Sequence, residues 1–428
     1  MPASLTLGLI ESPLHKGVTM MKQIVFLTTA AILTLSLVGC DGGSGDKSSA
    51  PKDAAIKPTE KVLKIGLINQ EKEQVSFPEL SAAARATVKY INTELKGVSG
   101  TSIELEVCAT GDSAESAVAC ATRFANESDV PFVINATYNS AAVNNVLLGK
   151  KAMFTFNASL SDSTTENLYT LDPGVLVPLQ VMFDAAIEQN VKSVSVLITD
   201  DPETKQAVMP LLDIVAKRNS ITIQNVVPVG GSIDMTAAVT AAQPEQTDAL
   251  IMVLTNADQC IPMGQSLKAL GVSKLVYSSE TCAKSQIVSS GAVDNWYFQI
   301  SSDGALSESS PGPDTIKFRD ILKRYSEGEP DFGGTAGFAV TQIMAVKSLY
   351  DQVGPEDVTV DALNNILKAG WKSKPLTAPA VSCPGVAPFI GQCQRSMYLA
   401  QSQNGSLKLV LPEARTVDMT SFSSIVSQ

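Results

Sequence analysis

The chain has 428 residues, of which 44% are apolar, and its formal net charge is −11 because 43 acidic residues outnumber 32 Lys and Arg. This acidity argues against binding to nucleic acid and against attraction to anionic lipid surfaces by charge. The length and the apolar content fit a folded protein with two domains of ordinary size.

An uncharged apolar run at residues 24–37 follows the basic start Met20-Met21-Lys22. The run has the length of the hydrophobic part of a secretory signal and is short for a membrane span. It ends at Leu37-Val38-Gly39-Cys40, which resembles the lipobox of bacterial lipoproteins. The resemblance implies cleavage before Cys40, lipidation of that cysteine, and a protein held at the cell membrane by acyl chains, facing the periplasm or the exterior. The alternatives are an ordinary signal peptide or a buried helix with a chance cysteine.

Residues 1–39 are therefore predicted to be a leader and signal peptide, and residues 40–60 a flexible tether rich in Gly, Ser, Lys, Asp and Pro. Residues 1–19 fit no part of a signal peptide, so we expect translation to begin at Met20 or Met21. The single histidine, His15, lies in the removed stretch. Histidine-dependent triads, His-ligated zinc and imidazole pH switches are then excluded from the mature chain.

Other common catalytic signatures are also missing from the sequence. Neither a G-x-S-x-G elbow nor a GxxxxGK[ST] phosphate loop occurs. We therefore predict no catalytic residues, no cofactor and no metal.

Six further cysteines fall into three couples that are close in sequence. They are Cys108 with Cys120, Cys260 with Cys282, and Cys383 with Cys393. Six cysteines permit 15 pairings, and the local spacing favours this one in an oxidising exterior. Zinc binding is the competing interpretation, although no couple has C-x-x-C spacing and no histidine is available.

From residue 61 onward, apolar strand-like runs alternate with helical patterns. In the first part we predict strands at 62–68, 103–107, 131–134 and 152–156, and helices at 78–95, 113–126 and 140–148. In the second part we predict strands at 193–198, 221–227, 249–254 and 275–277, and helices at 178–189, 205–218, 237–242 and 263–270. This alternation predicts an α/β fold with two parallel sheets, each covered by helices on both faces.

The last third of the chain has a different pattern. Helices are predicted at 315–325 and 337–350, after a solvated loop or crossover at 301–313. Strands at 396–401 and 406–410 flank Asn404-Gly405, a dipeptide typical of a tight hairpin turn.

Polar side chains follow two strands of the first part. The turn Tyr138-Asn139-Ser140 comes after the third strand, and Ala158-Ser159 comes after the fourth. Ligands of open parallel sheets bind beyond the carboxyl ends of the strands. Free backbone N–H groups and short hydroxyls at these helix starts suit a carboxylate. Ordinary helix capping is the alternative interpretation.

Three more residues are candidates at strand ends. Glu280 follows the strand at 275–277, where an acid would neutralise an ammonium group. Alternatively, this acid simply interacts favourably with the N-terminus of the next helix. Asn256 ends a further strand and would supply a polar contact. Phe77 follows the first strand and would form a wall of the site, or belong to the core. Together with the polar turns, Glu280 predicts a site for a zwitterion.

The stretch Lys64-Ile65-Gly66-Leu67, followed by Ala83-Ala84 and Tyr90-Ile91-Asn92, resembles the opening of the branched-chain amino-acid (Leu/Ile/Val-type) binding proteins of ABC transporters. Segments 113–118 and 132–134 continue the similarity, which extends over roughly residues 61–350. The resemblance implies a type I periplasmic binding protein fold. In this fold two Rossmann-like lobes, joined by three crossover strands, close on a ligand in the cleft between them.

The resemblance also implies residue roles. Family members bind the amino acid's carboxylate at turns that match Asn139-Ser140 and Ala158-Ser159, and its amine through an acid that matches Glu280. Asn157 stands where a glycine is usual, and the aromatic residue expected near Asn256 is absent, so leucine itself is not supported. We expect lobe 1 to comprise 61–173 and 303–372, and lobe 2 to comprise 174–302 and 373–428.

The chain is therefore expected to be a monomeric, lipid-anchored solute-binding protein of an ABC importer, and not an enzyme. Its partners would be an amino acid or similar small polar metabolite and the permease subunits. Nucleic acid is excluded, and the membrane would be reached only through the lipid anchor. The alternatives are a sensor or adhesion lipoprotein that uses the same lobes, and a histidine-free exported hydrolase.

Overall fold

The computed structural model describes residues 61–426, apart from 74–75, 157–158, 231–233, 305, 307–310 and 334. The leader, the tether, the predicted lipidation site Cys40 and the candidate Ala158 lie outside the described residues. Within the described part, no helix combines the length and the apolar character that a membrane span requires. The same residues contain no cluster of acidic, cysteine or histidine side chains arranged to hold a metal ion.

Four strands alternate with helices in the first part of the described chain. The strands are β1 (Leu63–Gln70), β2 (Ile103–Thr110), β3 (Phe132–Ala136) and β4 (Ala152–Thr155). The helices are α1 (Pro78–Glu94), α2 (Ala114–Asn126), α3 (Ser140–Leu147) and α4 (Leu160–Thr164). β3 and β4 are buried along their whole length, as expected for strands covered on both faces. α1 begins at Pro78, whose fixed φ suits a first helical turn.

The second part repeats the alternation. The strands are β5 (Ser193–Thr199), β6 (Thr222–Val229), β7 (Ala249–Val253), β8 (Leu275–Ser278) and β9 (Tyr297–Ile300). The helices are α5 (Leu176–Glu188), α6 (Pro202–Arg218), α7 (Met235–Ala241), α8 (Cys260–Ala269) and α9 (Ser285–Ser289). A 3₁₀ turn, Glu280–Ala283, joins β8 to α9.

Three helices and five strands follow in the third part of the described chain. The helices are α10 (Pro313–Tyr325), α11 (Ala336–Val353) and α12 (Val360–Gly370). The strands are β10 (Lys372–Ser373), β11 (Val381–Ser382), β12 (Ser396–Gln403), β13 (Ser406–Leu409) and β14 (Arg415–Thr416). The predicted hairpin is confirmed, because β12 pairs with β13 in antiparallel fashion and both turn residues, Asn404 and Gly405, have positive φ.

The strands form two main sheets. The first is parallel, in the order β2-β1-β3-β4. The second has the order β13-β12-β9-β8-β7-β5-β6, with β14 paired to β12. It is parallel from β9 to β6 and becomes antiparallel where β12 joins β9. The predicted α/β class with parallel sheets is therefore confirmed, with an antiparallel edge on the second sheet.

Each sheet has its own hydrophobic core. Lobe 1 contains the first sheet, and α10, α11 and α12 return to pack in its core. Lobe 2 contains the second sheet with α5 to α9. Val381, Cys383 and Cys393, which were expected in lobe 2, pack in the lobe 1 core.

The described part of the chain passes between the lobes in three places. We call these the crossing segments, and they span residues 170–175, 300–304 and 377–394. They are hydrogen-bonded to one another. The Thr170 N–H donates to the Gly391 carbonyl at 2.9 Å, and the Asp303 N–H donates to the Thr377 carbonyl at 2.9 Å.

Three disulfides confirm the predicted local pairing. Cys108–Cys120 joins β2 to α2, with the Cα atoms 5.8 Å apart. Cys260–Cys282 joins the start of α8 to the 3₁₀ turn after β8, with a Cα separation of 5.5 Å. Cys383–Cys393 closes a loop in the third crossing segment.

Candidate functional site

A cavity of about 160 Å³ lies between the two lobes, at the carboxyl ends of several strands and beside the crossing segments. We call it the inter-lobe cavity. Its polar lining includes Asp172, Thr204, Ser279, Glu280 and Gln299. Its apolar lining includes Leu179, Met182, Val208 and Met397 of lobe 2, and the rings of Tyr138 and Phe156 of lobe 1. Its position is where ligands of open α/β sheets bind.

Glu280 is the first residue of the 3₁₀ turn that follows β8. Its half-buried carboxylate accepts hydrogen bonds from the backbone N–H of Ser301 at 3.1 Å and from the Ser301 hydroxyl at 3.0 Å. Burial raises the pKa of Glu280 to about 8, the Ser301 hydrogen bonds act in the opposite direction, and the nearby Asp172 carboxylate adds to the rise. A cation in the cavity would favour the ionised form of Glu280.

Two further acceptors in the cavity were not found from the sequence. Asp172 lies in the first crossing segment, is buried, and accepts a hydrogen bond from the Gly174 N–H at 2.5 Å. Gln299 on β9 is only 5% exposed, and its Oε1 has no hydrogen-bond partner among the described residues. A polar residue within the apolar run Tyr297-Phe298-Gln299-Ile300 was the available signal for Gln299. Asp172 had no such signal, because an acid before Pro-Gly is typical of any turn.

An aromatic cluster forms the lobe 1 side of the cleft. The Phe156 ring centroid lies 4.8 Å from that of Phe338, 6.1 Å from that of Phe77 and 6.2 Å from that of Tyr138. Phe77 is buried behind Tyr138 and Phe156 and lines a neighbouring pocket instead of the inter-lobe cavity. Rings packed on one another at these distances hold Tyr138 and Phe156 in place.

The neighbouring pocket, which we call the cleft mouth, has a volume of about 510 Å³ and is open to solvent. Phe77 and Asn256 line it, and the Asn256 side chain accepts a hydrogen bond from the Asp258 N–H at 2.9 Å. Its acidic lining residues are Glu73, Glu79, Asp258, Glu327, Glu329 and Asp331. Lys284 is the only basic residue among the described residues that line it.

Lys284 joins the two lobes across the cleft mouth. Its Nζ lies 2.9 Å from Oε1 of Glu79 on α1, and both side chains are only 9% exposed. The Thr335 hydroxyl donates to the same Glu79 carboxylate at 3.1 Å. Lys284 Nζ also lies 5.8 Å from the centroid of the Phe77 ring. Burial raises the pKa of the neighbouring Asp331. We call the Glu79–Lys284 ion pair the latch.

The other predicted site residues take partners within lobe 1. Asn139 is buried, and its Nδ2 donates to the Asp112 carbonyl at 3.1 Å. Ser140 is buried at the start of α3. Ser159 caps α4, with its N–H and hydroxyl donating to the Asp162 carboxylate at 2.9 and 2.8 Å. None of the three is part of the described lining of the inter-lobe cavity or of the cleft mouth. The structure thus places Tyr138 and Glu280 in the lining of the inter-lobe cavity, and Phe77 and Asn256 in the lining of the cleft mouth.

Solved structures share this fold at low sequence identity. An extracellular ligand-binding receptor from Rhodopseudomonas palustris HaA2 aligns with a TM-score of 0.68 and 14% identity, over 82% of this chain and 100% of that one. The branched-chain amino acid substrate-binding protein LivJ from Streptococcus pneumoniae, in complex with isoleucine, aligns with a TM-score of 0.67 and 15% identity, over 83% and 100% of the two chains. An R. palustris ABC transporter solute-binding protein in complex with 4-hydroxybenzoate aligns with a TM-score of 0.68 and 14% identity, over 83% and 97%.

Sequence comparisons give the family. A search of curated proteins returned no match. The model of the periplasmic binding protein family matches residues 62–406, which is most of the chain. The two-lobed fold, and the solved structures that have the same fold, agree with this family match and with the resemblance found in the sequence. The chain therefore belongs to the periplasmic binding protein family.

Proposed function

We propose that this chain is an extracytoplasmic, lipid-anchored solute-binding protein that delivers an amino acid or similar small polar metabolite to the permease of an ABC importer. The observation that supports this most directly is the inter-lobe cavity, which combines Glu280 of lobe 2 with Tyr138 and Phe156 of lobe 1. Structural neighbours in complex with isoleucine and with 4-hydroxybenzoate add support for a small solute.

Capture depends on lobe closure. A ligand in the inter-lobe cavity contacts Glu280 and Gln299 from one side and Tyr138 and Phe156 from the other. It makes both sets of contacts only when the lobes are closed, and this difference in affinity shifts the equilibrium towards closure. The crossing segments are the hinge, and no bond in the ligand is made or broken.

The lobe 1 turns remain candidates for the ligand's carboxylate. For Ser159 to bind a carboxylate, its N–H and hydroxyl must leave the side chain of Asp162. Asn139, Ser140 and Ala158 belong to the same hypothesis. Asn139 would have to exchange its contact with the Asp112 carbonyl for the ligand.

Native mass spectrometry of gently purified protein tests the capture of a solute. We expect a retained small molecule, identified after denaturation. The radius of gyration measured by scattering should fall when that molecule is added back to stripped protein.

Glu280→Gln should weaken the binding of that molecule by about 1.5–3 kcal/mol in calorimetry, the scale of a charge-assisted hydrogen bond. Glu329→Gln, at an exposed acid of the cleft mouth, is the matched control and should bind normally. Unchanged binding by Glu280→Gln would remove Glu280 from the site.

The membrane attachment is assigned to Cys40. Fractionation of cells that express the full chain should place it with membranes, and Cys40→Ser should move it to the soluble fraction. An unchanged distribution in that variant would exclude the lipid anchor and would leave solute capture unaffected. The released protein is expected to be a monomer by light scattering.

A further inference from the structure

The Glu280 carboxylate has a neighbour, Ser301, that the sequence did not single out. Ser301 is only 7% exposed and directly follows the last residue of β9, in the second crossing segment. Its N–H donates to Glu280 Oε2 at 3.1 Å, and its hydroxyl donates to Glu280 Oε1 at 3.0 Å. One residue therefore contacts both oxygens of the acid, and two such contacts fix the orientation of the carboxylate as well as its position.

Ser301 is itself held in place by its two chain neighbours. On one side, Ile300 pairs with Tyr398 where β9 joins β12. On the other side, the hydroxyl of the buried Ser302 donates to the hydroxyl of Thr377 in the third crossing segment at 2.7 Å. Both donors of Ser301 therefore have directions that are set by the sheet and by the crossing segments.

The surroundings of Glu280 make these two hydrogen bonds important for its charge. Among the described residues that line the inter-lobe cavity, the other titratable side chains are Asp172 and Tyr138, and neither supplies a positive charge. Burial and the Asp172 carboxylate both raise the pKa of Glu280, whereas the hydroxyl and the N–H of Ser301 lower it. Ser301 thus favours the ionised acid before any solute binds.

A serine hydroxyl also suits both protonation states of the acid. It donates a hydrogen bond to an ionised carboxylate, and after rotation about its C–O bond it accepts one from a protonated carboxyl group. Glu280 can therefore gain or lose its proton without losing its contact with Ser301. The acid keeps its place in the cavity lining in either state.

We infer that Ser301 is a positioning residue of the inter-lobe site, which orients Glu280 and favours its ionised form, the form that can hold a cationic group. The inference rests on the proposed function and names the residue that regulates its binding acid.

NMR of stripped protein, isotope-labelled at the glutamate carboxyl carbons, measures the ionisation of Glu280 directly, and Glu280→Gln identifies its signal. We expect Glu280 of the wild type to titrate with a pKa of about 8. Ser301→Ala removes the hydroxyl and keeps the N–H, so this pKa should rise, with a fall of at least about threefold in the ionisation constant. Ser301→Thr keeps the hydroxyl and should titrate like the wild type.

Ser402→Ala is the matched control. Ser402 is buried in lobe 2, and its hydroxyl also donates to a carboxylate, that of Asp294, at 3.2 Å. Both residues lie outside the described lining of the cavity. This variant should lower the thermal stability and leave the pKa of Glu280 unchanged. The inference is overturned by an unchanged pKa in Ser301→Ala, or by a rise of the same size in Ser301→Thr or Ser402→Ala.

The titration uses no solute, so its outcome is independent of solute capture. If native mass spectrometry finds no retained molecule, solute capture fails, whatever the response of Glu280 to Ser301. If the pKa of Glu280 does not respond, Ser301 loses its role, and a retained molecule still supports solute capture. The two failures are therefore distinguishable.

Discussion

The two lobes contribute different chemistry to the inter-lobe cavity. Lobe 1 presents the rings of Tyr138 and Phe156, while its polar turn at Ser159 is hydrogen-bonded internally. Lobe 2 presents Glu280 and Gln299, whose Oε1 has no donor among the described residues. If the cavity binds the proposed solute, lobe 2 recognises the polar end of that solute and lobe 1 covers it with an apolar surface. Changes in lobe 2 should then alter which ligand binds, and changes in lobe 1 should alter how long it stays.

The largest expected effect comes from breaking the latch. Lys284→Met leaves the Glu79 carboxylate buried without its cation, which typically costs about 3–5 kcal/mol. Because Glu79 and Lys284 belong to different lobes, opening of the cleft would rehydrate Glu79 and relieve that cost. We therefore expect the variant to have a larger radius of gyration than the wild type in small-angle scattering.

A double variant and a control separate the latch from general destabilisation. Glu79→Met/Lys284→Met removes both charges and should return the radius of gyration towards the wild-type value. Lys347→Met is the control, because Lys347 pairs within α11 with Asp351, which is 41% exposed. If Lys284→Met keeps the wild-type dimensions, the latch does not hold the lobes together.

The disulfides give a direct comparison of the lobes. Cys260–Cys282 anchors the 3₁₀ turn that begins with Glu280, whereas Cys108–Cys120 lies in lobe 1 and joins β2 to α2. Replacing either pair by alanine should lower the unfolding free energy by about 2–3 kcal/mol. Only the lobe 2 replacement should also weaken ligand binding in calorimetry, because it frees the turn that positions Glu280. Equal binding losses for the two pairs would contradict the division of roles.

Much of the fold was predictable because each parallel strand is a short apolar run that ends in a polar turn. β9 was missed because it has only four residues and Gln299 interrupts its apolar character. Its strand conformation depends on pairing with β8 and with β12, which lies about a hundred residues away in sequence, as in the Ile300 to Tyr398 register. Such pairing is set by tertiary contacts and leaves no local pattern.

The candidate site was predictable in part, for a related reason. Glu280 and Tyr138 follow strands, so the general rule for open sheets places both near the cavity. Asp172 reaches the cavity through a crossing segment, and its approach to Glu280 depends on how the two lobes meet. Asn139 and Ser159 have the residue types of helix caps and of ligand contacts alike, and only the structure shows that their donors take partners in lobe 1.

A smaller effect on ligand affinity is expected from reducing the apolar surface that lobe 1 presents to the inter-lobe cavity. Phe156→Leu removes ring contacts with Phe338 and with the ligand, and should cost about 1–2 kcal/mol of affinity. We expect the loss to appear as faster dissociation in stopped-flow or surface-binding experiments, with association little changed. Phe124→Leu, deep in the lobe 1 core against β1, is the control and should lower stability without changing the dissociation rate. A change in the order of preference among ligands would contradict the role of lobe 1 as a cover.

The last expected effect is a pH dependence of stability that originates in lobe 2. Burial raises the pKa of Glu280 to about 8 in the folded protein, above its ordinary value in the unfolded chain. The folded state therefore binds the proton more tightly, so this group's contribution is present at pH 4 and is lost as the pH rises through about 8. In stripped protein we expect the unfolding free energy to fall by a few kcal/mol (about 1.4 kcal/mol per unit of pKa shift) from this source between pH 5 and pH 8.5. Denaturant titrations at the two pH values should show a smaller loss of unfolding free energy for Glu280→Gln than for the wild type. An equal loss in both proteins would mean that Glu280 is already ionised without a ligand.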